Sequence, residues 1–578
     1  MGEKVWVVDD EASSRFPVYT RGNVGEVFPT VVSPLTWSLF GKAAEDGWRD
    51  AFADFGVVVD GDFGDDPMCV LGVFGGYCYL NASYIRIFAV RTPGLSVEEM
   101  DQSFFGSAAA PPYVARPGDK NARASLRAAR TLWRTLAATA LPELEDDKVV
   151  VNDFLARSPS LADATDAELI AYVRSFVPLF RELFRRHISI TFRANIGPGL
   201  LAQTCAKQLD DPTMAMKLLA GIGLVESAEP SVALWDLSRL VAAEPQLGAV
   251  FDRGVAEVSA RLDAGGASGE PPGLADFRRR FGIFLNDFGS RGPNEWEGSS
   301  PTWGTRPTLA LAAIDRMRGA EPHHDPRHQR NRLERERLEA TAEARRRLRP
   351  PARQIFSRAL RSAQLFSQGR ERSKTTVIRA LHGVRLADLE LARRARDRGG
   401  PPDLADMWLV TLDEWPAYVA TPGAFSAVID ERRALKERLA ALVPPFLFEG
   451  RQPPVEEWTP RDTPVEVSKA GQRLEGIAGC PGKATGRARV VLDPADPRGL
   501  SPGEVLVAPI TDPSWTPLFV AAEAVIVNVG AQLSHAVIVS RELGIPCVVS
   551  VTGATASIPD GAMVEVDGDR GVVTVLEV

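Results

Sequence analysis

A stretch rich in proline and charge, GRQPPVEEWTPRDTPVEV at 450–467, divides the sequence into two parts of different character. Before it, long segments place apolar residues three and four positions apart, as amphipathic helices do. After it, short β-branched runs are separated by Gly, Pro and Asp, which is typical of strands joined by turns. Because the stretch has no hydrophobic period, we predict a linker over 450–470. A chain of 578 residues is also too long for a single core.

The predicted fold class is multidomain α+β. Residues 1–110 contain short β-rich runs broken by Gly and Asp, which predict a mixed α/β part. Helical periodicity dominates 121–449, so 1–449 is predicted to form one largely helical domain. Residues 471–578 are predicted to form a compact β/β/α domain with one clear helix, His535–Leu543.

Composition excludes several classes of function. The net charge of −8 gives no basic excess that would indicate nucleic acid or an anionic membrane surface as a partner. The first residues, MGEKVWVVDDEASS, lack the apolar segment of a secretory signal, and no apolar stretch is long enough to span a bilayer. We therefore expect a cytoplasmic protein.

The cysteines and most of the histidines give no sign of a metal site. The five cysteines form no CxxC pair, so reduced thiols are expected. His323, His324 and His328 lie in PHHDPRHQRNR, which we interpret as a solvated polar loop. His187 is predicted to end the helix of LIAYVRSFVPLFRELFRRHI. No tightly bound metal or cofactor is expected in this chain.

The stretch GAQLSHAVIVSRELGIP at 530–546 has the most specific chemistry. Gly530 permits an abrupt turn, and Ser534 is a good N-cap that puts His535 on the first helical turn. Free N–H groups and partial positive charge at a helix start bind phosphate and disfavour an imidazolium, leaving a neutral nitrogen able to attack. His535 therefore suits a phosphoryl carrier, although such a histidine also suits packing or capping. Gly530, Ser534 and Arg541 are candidate phosphate-binding residues.

This stretch closely resembles the phosphohistidine signature of the phosphoenolpyruvate-utilising enzymes. TDPSWTPLF at 511–519 resembles the segment before that signature, and GCPGKATGRARVV at 479–491 resembles the strand that opens the family's swivelling domain. The resemblance implies a swivelling C-terminal domain in which His535 carries the phosphoryl group. Two positions depart from the pattern: Ala531 stands where the family usually has Gly, and Leu533 replaces a regulatory threonine of the plant-type dikinase.

A weaker resemblance, to the rifampicin phosphotransferase group of this family, covers the rest of the chain. Its landmarks are YTRGNVGEVFPTVVSPLTWSLF (19–40), DFGSRGPNEWE (287–297) and GRERSKTTVIRAL (369–381). Members of that group begin with an ATP-grasp domain, and this sequence resembles the portion of those proteins beyond that domain. The resemblance therefore implies a separate ATP-grasp partner, as in phenylphosphate synthase, with Mg²⁺ and ATP bound mainly by that partner.

Several residues of these landmarks are candidate site residues. Arg370 and Lys374 share one face of a helix and resemble an Arg and a Lys near the family's phosphohistidine, although a solvated basic face is the alternative. Glu26 is a candidate for orienting or deprotonating an acceptor hydroxyl, or for stabilising a turn. Arg291 and Glu295 are candidates for lining an acceptor pocket, or for a structural ion pair in a Gly-rich loop.

The leading hypothesis is a phosphotransferase subunit that carries a phosphoryl group on His535 to the hydroxyl of a small organic acceptor. One alternative is a component of the phosphoenolpyruvate synthase or dikinase type. Another is a non-enzymatic phosphohistidine relay protein, whose helical domain would bind a protein instead.

Overall fold

The structure is a computed structural model. It describes all residues except 1–3, 65, 67, 106–109, 212–213, 223–225, 227–228, 266–269, 464, 495–498, 513–514 and 531–533. The chain divides into two compact units, a first unit of 1–197, 296–300 and 361–463 and a second unit of 198–295, 301–360 and 464–578. The domain bounds 1–449, 450–470 and 471–578 stay a prediction.

The structure contains helices together with several sheets, as the predicted α+β class requires. The α-helices are α1 (Val24–Val27), α2 (Pro34–Phe55), α3 (Ala82–Arg91), α4 (Val97–Phe105), α5 (Ala122–Ala137), α6 (Glu143–Ala156), α7 (Asp166–Ala194), α8 (Ile196–Gln208), α9 (Met214–Leu219), α10 (Glu229–Ala243), α11 (Pro245–Phe251), α12 (Val255–Ala264), α13 (Leu274–Phe288), α14 (Thr308–Arg318), α15 (Pro326–Arg347), α16 (Ala352–Asp397), α17 (Trp415–Ala420), α18 (Ser426–Ala440), α19 (Thr516–Ala521), α20 (His535–Leu543) and α21 (Ala554–Ser557). The strands are β1 (Val18–Thr20), β2 (Leu71–Phe74), β3 (Tyr77–Asn81), β4 (Leu442–Val443), β5 (Leu447–Glu449), β6 (Thr459–Pro460), β7 (Arg473–Glu475), β8 (Ile477–Cys480), β9 (Lys483–Val490), β10 (Glu504–Ala508), β11 (Ala524–Val527), β12 (Cys547–Val549), β13 (Met563–Asp567) and β14 (Val572–Glu577).

In the first unit, α7 begins at a capping box. Thr165 accepts a hydrogen bond from the Glu168 amide, and the Glu168 carboxylate accepts one from the Thr165 amide, which satisfies two otherwise unpaired donors. The helix continues to Ala194, so the prediction that His187 ends it was wrong. The apolar pattern continues past His187 in Ile188 and Ile190, both of which are buried.

The core of the first unit is aromatic where α2 packs against α7. Phe40 of α2 contacts Phe176 and Phe180 of α7, with ring centroids 5.8 and 4.9 Å apart. Beside these helices, an antiparallel sheet has the strand order β2-β3-β1-β5, and β4 pairs separately with β6. The proline-rich stretch therefore contains a paired strand, and Trp458 within it is buried.

A buried polar cluster holds the short segment 296–300 within the first unit. The Glu297 carboxylate accepts hydrogen bonds from the hydroxyls of Ser33 and Thr36 at 2.5 and 2.7 Å. Arg385 of α16 donates to the carbonyls of Glu297 and Gly298. These contacts place Trp296 beside His187, with ring centroids 5.9 Å apart.

In the second unit, the C-terminal residues form an eight-stranded mixed sheet with the order β7-β14-β13-β9-β10-β11-β12-β8. The four central strands β9, β10, β11 and β12 run parallel to one another. All pairings outside these four strands are antiparallel. Because β11 and β12 are parallel, the chain must cross over between them, and α20 is that crossover. Apolar residues of α10, α13 and α14 share one core with this sheet and with α20.

Across the described part of the chain, we find no helix with the length and apolarity needed to cross a membrane.

Candidate functional site

His535 lies at the edge of the sheet where the parallel strands β10 and β11 end. β10 ends at Ala508 and leads to Thr511 and Thr516, whereas β11 ends at Val527 and leads to His535. Because neighbouring parallel strands end at the same edge, the two connections are brought together there. This is the usual position of ligand and catalytic residues in such sheets.

Two threonine hydroxyls flank the His535 ring. Nδ1 lies 3.2 Å from Thr511 Oγ1, and Nε2 lies 3.3 Å from Thr516 Oγ1. A neutral imidazole donates from one ring nitrogen and accepts at the other, and a hydroxyl can fill either role. Phe519 packs edge-on against the ring at 5.9 Å. The ring is thus oriented from three sides while His535 stays partly exposed.

The helix α20 begins at His535, as predicted, although the Ser534 hydroxyl at its N-cap position makes no capping hydrogen bond. Ser534 takes the extended N-cap conformation with φ −67° and ψ 159°, and His535 is the first helical residue. Gly530 is required by close packing, because a Cβ there would lie 2.8 Å from Cβ of Val549. Ala531 and Leu533, the two departures from the family pattern, lie outside the described residues.

Arg541 lies at the opposite end of α20 from His535. Six residues of helix separate the two Cα atoms by about 9 Å along the axis. The Arg541 guanidinium donates from Nε to the carbonyl of Gly479 in β8 at 3.0 Å, and its burial lowers the pKa. The geometry thus gives Arg541 a contact that links α20 to β8, and its role in phosphate binding stays a prediction.

A loop of the helical region contacts the segment that follows β10. The amide of Asn294 donates to Asp512 Oδ2 at 2.9 Å, and Asp512 adjoins Thr511. Asn294 has a left-handed backbone with φ 48°, which Asn adopts more readily than most residues. The Gly-rich loop thereby fixes the residue next to one of the two hydroxyls that contact His535.

Arg291 and Glu295 form an ion pair inside this loop. Nε of Arg291 lies 3.0 Å from Oε2 of Glu295, and the side chains are 3% and 2% exposed. The Arg291 carbonyl accepts a hydrogen bond from the Trp303 amide, and Gly289 accepts one from Gly304, so that the loop closes on itself. This geometry favours the structural interpretation of the pair; substrate binding by the two residues stays a prediction.

The other predicted site residues belong to the first unit. Arg370 and Lys374 lie one turn apart on α16, both partly buried, and Arg370 pairs with the buried carboxylate of Glu371. Glu26 lies on the short helix α1 and is partly exposed. Roles in transfer chemistry for these residues stay predictions.

Sequence reasoning missed a buried histidine beside the two cations of α16. Nδ1 of His187 lies 3.0 Å from Ser373 Oγ, and Ser373 stands between Arg370 and Lys374 in the sequence. Burial lowers the pKa of His187 well below its ordinary value, and the charges of Arg370 and Lys374 lower it further. His187 is therefore a neutral imidazole.

The part of the chain that the structure describes contains no group of three or more His, Cys, Asp or Glu side chains placed to hold a metal ion.

Comparison with known proteins identifies two parts of the chain. Residues 186–371 match the rifampicin phosphotransferase fourth domain, and residues 500–571 match the mobile domain of PEP-utilising enzymes. The first match includes His187 and Arg370, and the second includes Thr511, Thr516 and His535.

Similar whole proteins point to the same group. An uncharacterised protein of Mycobacterium tuberculosis is 29% identical over 98% of this chain and 62% of its own length. The prodigiosin synthesizing transferase PigC of Serratia marcescens is 26% identical over 99% of this chain and 64% of its own length. A rifampicin phosphotransferase of Streptomyces is 30% identical over 61% of this chain and 40% of its own length. The chain thus spans less than two thirds of these relatives, and its two matched regions are similar to rifampicin phosphotransferase and to the mobile domain of PEP-utilising enzymes.

Proposed function

We propose that this chain is a phosphotransferase component in which His535 accepts a phosphoryl group and passes it to the hydroxyl of a small organic acceptor. The observation that supports this most is the ring of His535, held between two threonine hydroxyls at the first turn of α20. An oriented histidine at a helix start can act as a nucleophile toward phosphorus.

The proposed donor is ATP with Mg²⁺, activated by an ATP-grasp partner subunit. In the forward direction the P–N bond on His535 forms as the partner's reaction breaks the phosphoanhydride bonds of ATP and releases AMP and phosphate. It breaks when the acceptor oxygen attacks, and its electron pair returns to the imidazole. Arg370 and Lys374 are proposed to stabilise the negative charge on the phosphoryl oxygens during transfer. Glu26 is proposed to orient the acceptor.

The test is incubation of the chain with Mg²⁺-ATP, with and without a candidate ATP-grasp partner, followed by intact-protein mass spectrometry. We expect an acid-labile phosphoryl adduct that requires the partner and is absent from His535→Ala. Phosphoenolpyruvate is the alternative donor to be compared with ATP. If phosphoenolpyruvate alone phosphorylates His535, it is the donor and the proposal of ATP is wrong. No adduct with either donor would contradict the proposed function.

The acceptor is sought by adding hydroxyl compounds to the charged protein. Rifampicin belongs in this screen because relatives are named for it. Loss of the adduct together with a phosphorylated compound would identify the acceptor.

A further inference from the structure

His187 is a second histidine with the properties that the chemistry of transfer requires. The residue is only 7% exposed, and its ring centroid lies 5.9 Å from that of Trp296 and 6.4 Å from that of Phe184. It belongs to α7, yet its hydrogen bond is to α16, where it meets Ser373.

The hydrogen bonds around Ser373 fix which nitrogen of His187 carries the proton. The hydroxyl of Ser373 donates its single hydrogen to the carbonyl of Arg370 at 2.9 Å. Its oxygen must then accept from Nδ1–H of His187 at 3.0 Å. Nε2 is left as the unprotonated nitrogen, and it has no hydrogen-bond partner among the residues that the structure describes.

The charges around His187 preserve this neutral form. Arg370 and Lys374 lie on either side of Ser373 on α16, and both disfavour a further positive charge on the ring. Glu371, the carboxylate next to them, is engaged by Arg370. A lone pair on a neutral imidazole therefore lies beside two cations that suit phosphoryl oxygens.

We propose that Nε2 of His187 is the general base that takes the proton from the acceptor hydroxyl during phosphoryl transfer. This inference rests on the proposed function. In the step, the acceptor O–H bond breaks, its proton moves to Nε2, and its oxygen forms the new bond to phosphorus. The P–N bond breaks with its electrons returning to the ring of His535, which takes up a proton from solvent and is again a neutral imidazole. The proton on His187 afterwards passes to solvent.

The first test is the protonation state of His187. Nitrogen NMR of protein labelled with ¹⁵N-histidine, with His187→Asn to assign the signal, should show a neutral ring protonated at Nδ1 at neutral pH. A ring protonated at Nε2, or an imidazolium, would overturn the assignment of Nε2 as base.

The second test follows discharge of the phosphohistidine in the full chain. Phosphoramidate, a small chemical donor, charges His535, and loss of the adduct is measured with water alone and with added methanol as the acceptor probes. General bases contribute roughly 10²- to 10⁴-fold, so His187→Asn should slow discharge by at least about 10²-fold while charging proceeds normally. Failure of charging itself would count against the proposed function, and normal charging with unchanged discharge would overturn only the role of His187.

A rescue experiment separates a base from a packing residue. His187→Gly leaves space for free imidazole, and added imidazole should restore a large part of the lost discharge rate. Ser373→Ala, which keeps the ring but removes the acceptor that fixes its tautomer, should slow discharge less than His187→Asn does. A loss of rate in His187→Gly that imidazole does not restore would overturn the proposal.

Discussion

The buried pair of Arg291 and Glu295 allows a quantitative prediction about the loop that contacts the His535 segment. The two side chains are 3% and 2% exposed and 3.0 Å apart. Breaking a buried ion pair by removing one partner costs about 3–5 kcal/mol. Glu295→Gln should therefore destabilise the loop by at least about 3 kcal/mol on this basis.

The assay is native-state hydrogen exchange at the amides of Trp303 and Gly304, which donate to Arg291 and Gly289 within the loop. A loss of about 3 kcal/mol corresponds to exchange that is faster by roughly 150-fold, since 1.4 kcal/mol is a factor of ten. The double variant Arg291→Met with Glu295→Met should recover most of the stability, because replacing a whole buried pair by apolar groups is often neutral.

The matched control is Glu466→Gln, which removes an exposed ion pair between Glu466 and Lys469. The side chain of Glu466 is 84% exposed and that of Lys469 is 80% exposed. Exposed pairs contribute little, so exchange at Trp303 should not change. If Glu295→Gln accelerates that exchange by less than about tenfold, the interpretation of this pair as structural is refuted.

Three further predictions concern other parts of the fold. Gly530→Ala should lower stability by about 1–3 kcal/mol, because the new Cβ meets Cβ of Val549 at 2.8 Å; thermal unfolding measures this, and an unchanged melting temperature would contradict it. Thr511→Val should slow charging of His535 by phosphoramidate several-fold, up to about tenfold, as expected for one lost hydrogen bond; unchanged charging would contradict a role in orienting the ring. Burial raises the pKa of Asp388 to about 8, so the folded state binds its proton more tightly than the unfolded state. The stabilising contribution of protonated Asp388 should be full below pH about 4 and should be lost as the pH rises to about 8. Asp388→Asn should remove this pH dependence of the melting temperature.

Local signals in the sequence predicted the start and end of α20 correctly. The helix runs from His535 to Leu543 as predicted; Ser534 takes the N-cap position without a side-chain cap, and Gly544 follows with φ 61°, the left-handed conformation that commonly ends a helix. The residues on which this prediction rests lie within a few positions of the helix itself. The same local reasoning was wrong at His187, because the apolar spacing was taken to end there although it continues in Ile188 and Ile190.

Contacts between distant residues were outside the reach of local patterns. Asn294 and Asp512 are 218 positions apart, and His187 and Ser373 are 186 apart. Thr511 begins the TDPSWTPLF segment, and its place after a strand parallel to β11 is the signal that could have paired it with His535. A side chain whose partner is set by packing needs the fold before its role can be predicted.

The most direct test of the central claim is chemical phosphorylation of the chain by phosphoramidate, followed by intact-mass measurement and peptide mapping at alkaline pH. The matched control is His382→Ala, which removes a histidine of α16 instead. We predict one phosphoryl group on the peptide that contains His535, present in His382→Ala and lost in His535→Ala. A phosphoryl group on another residue, or none on His535 in the folded wild-type chain, would contradict the account.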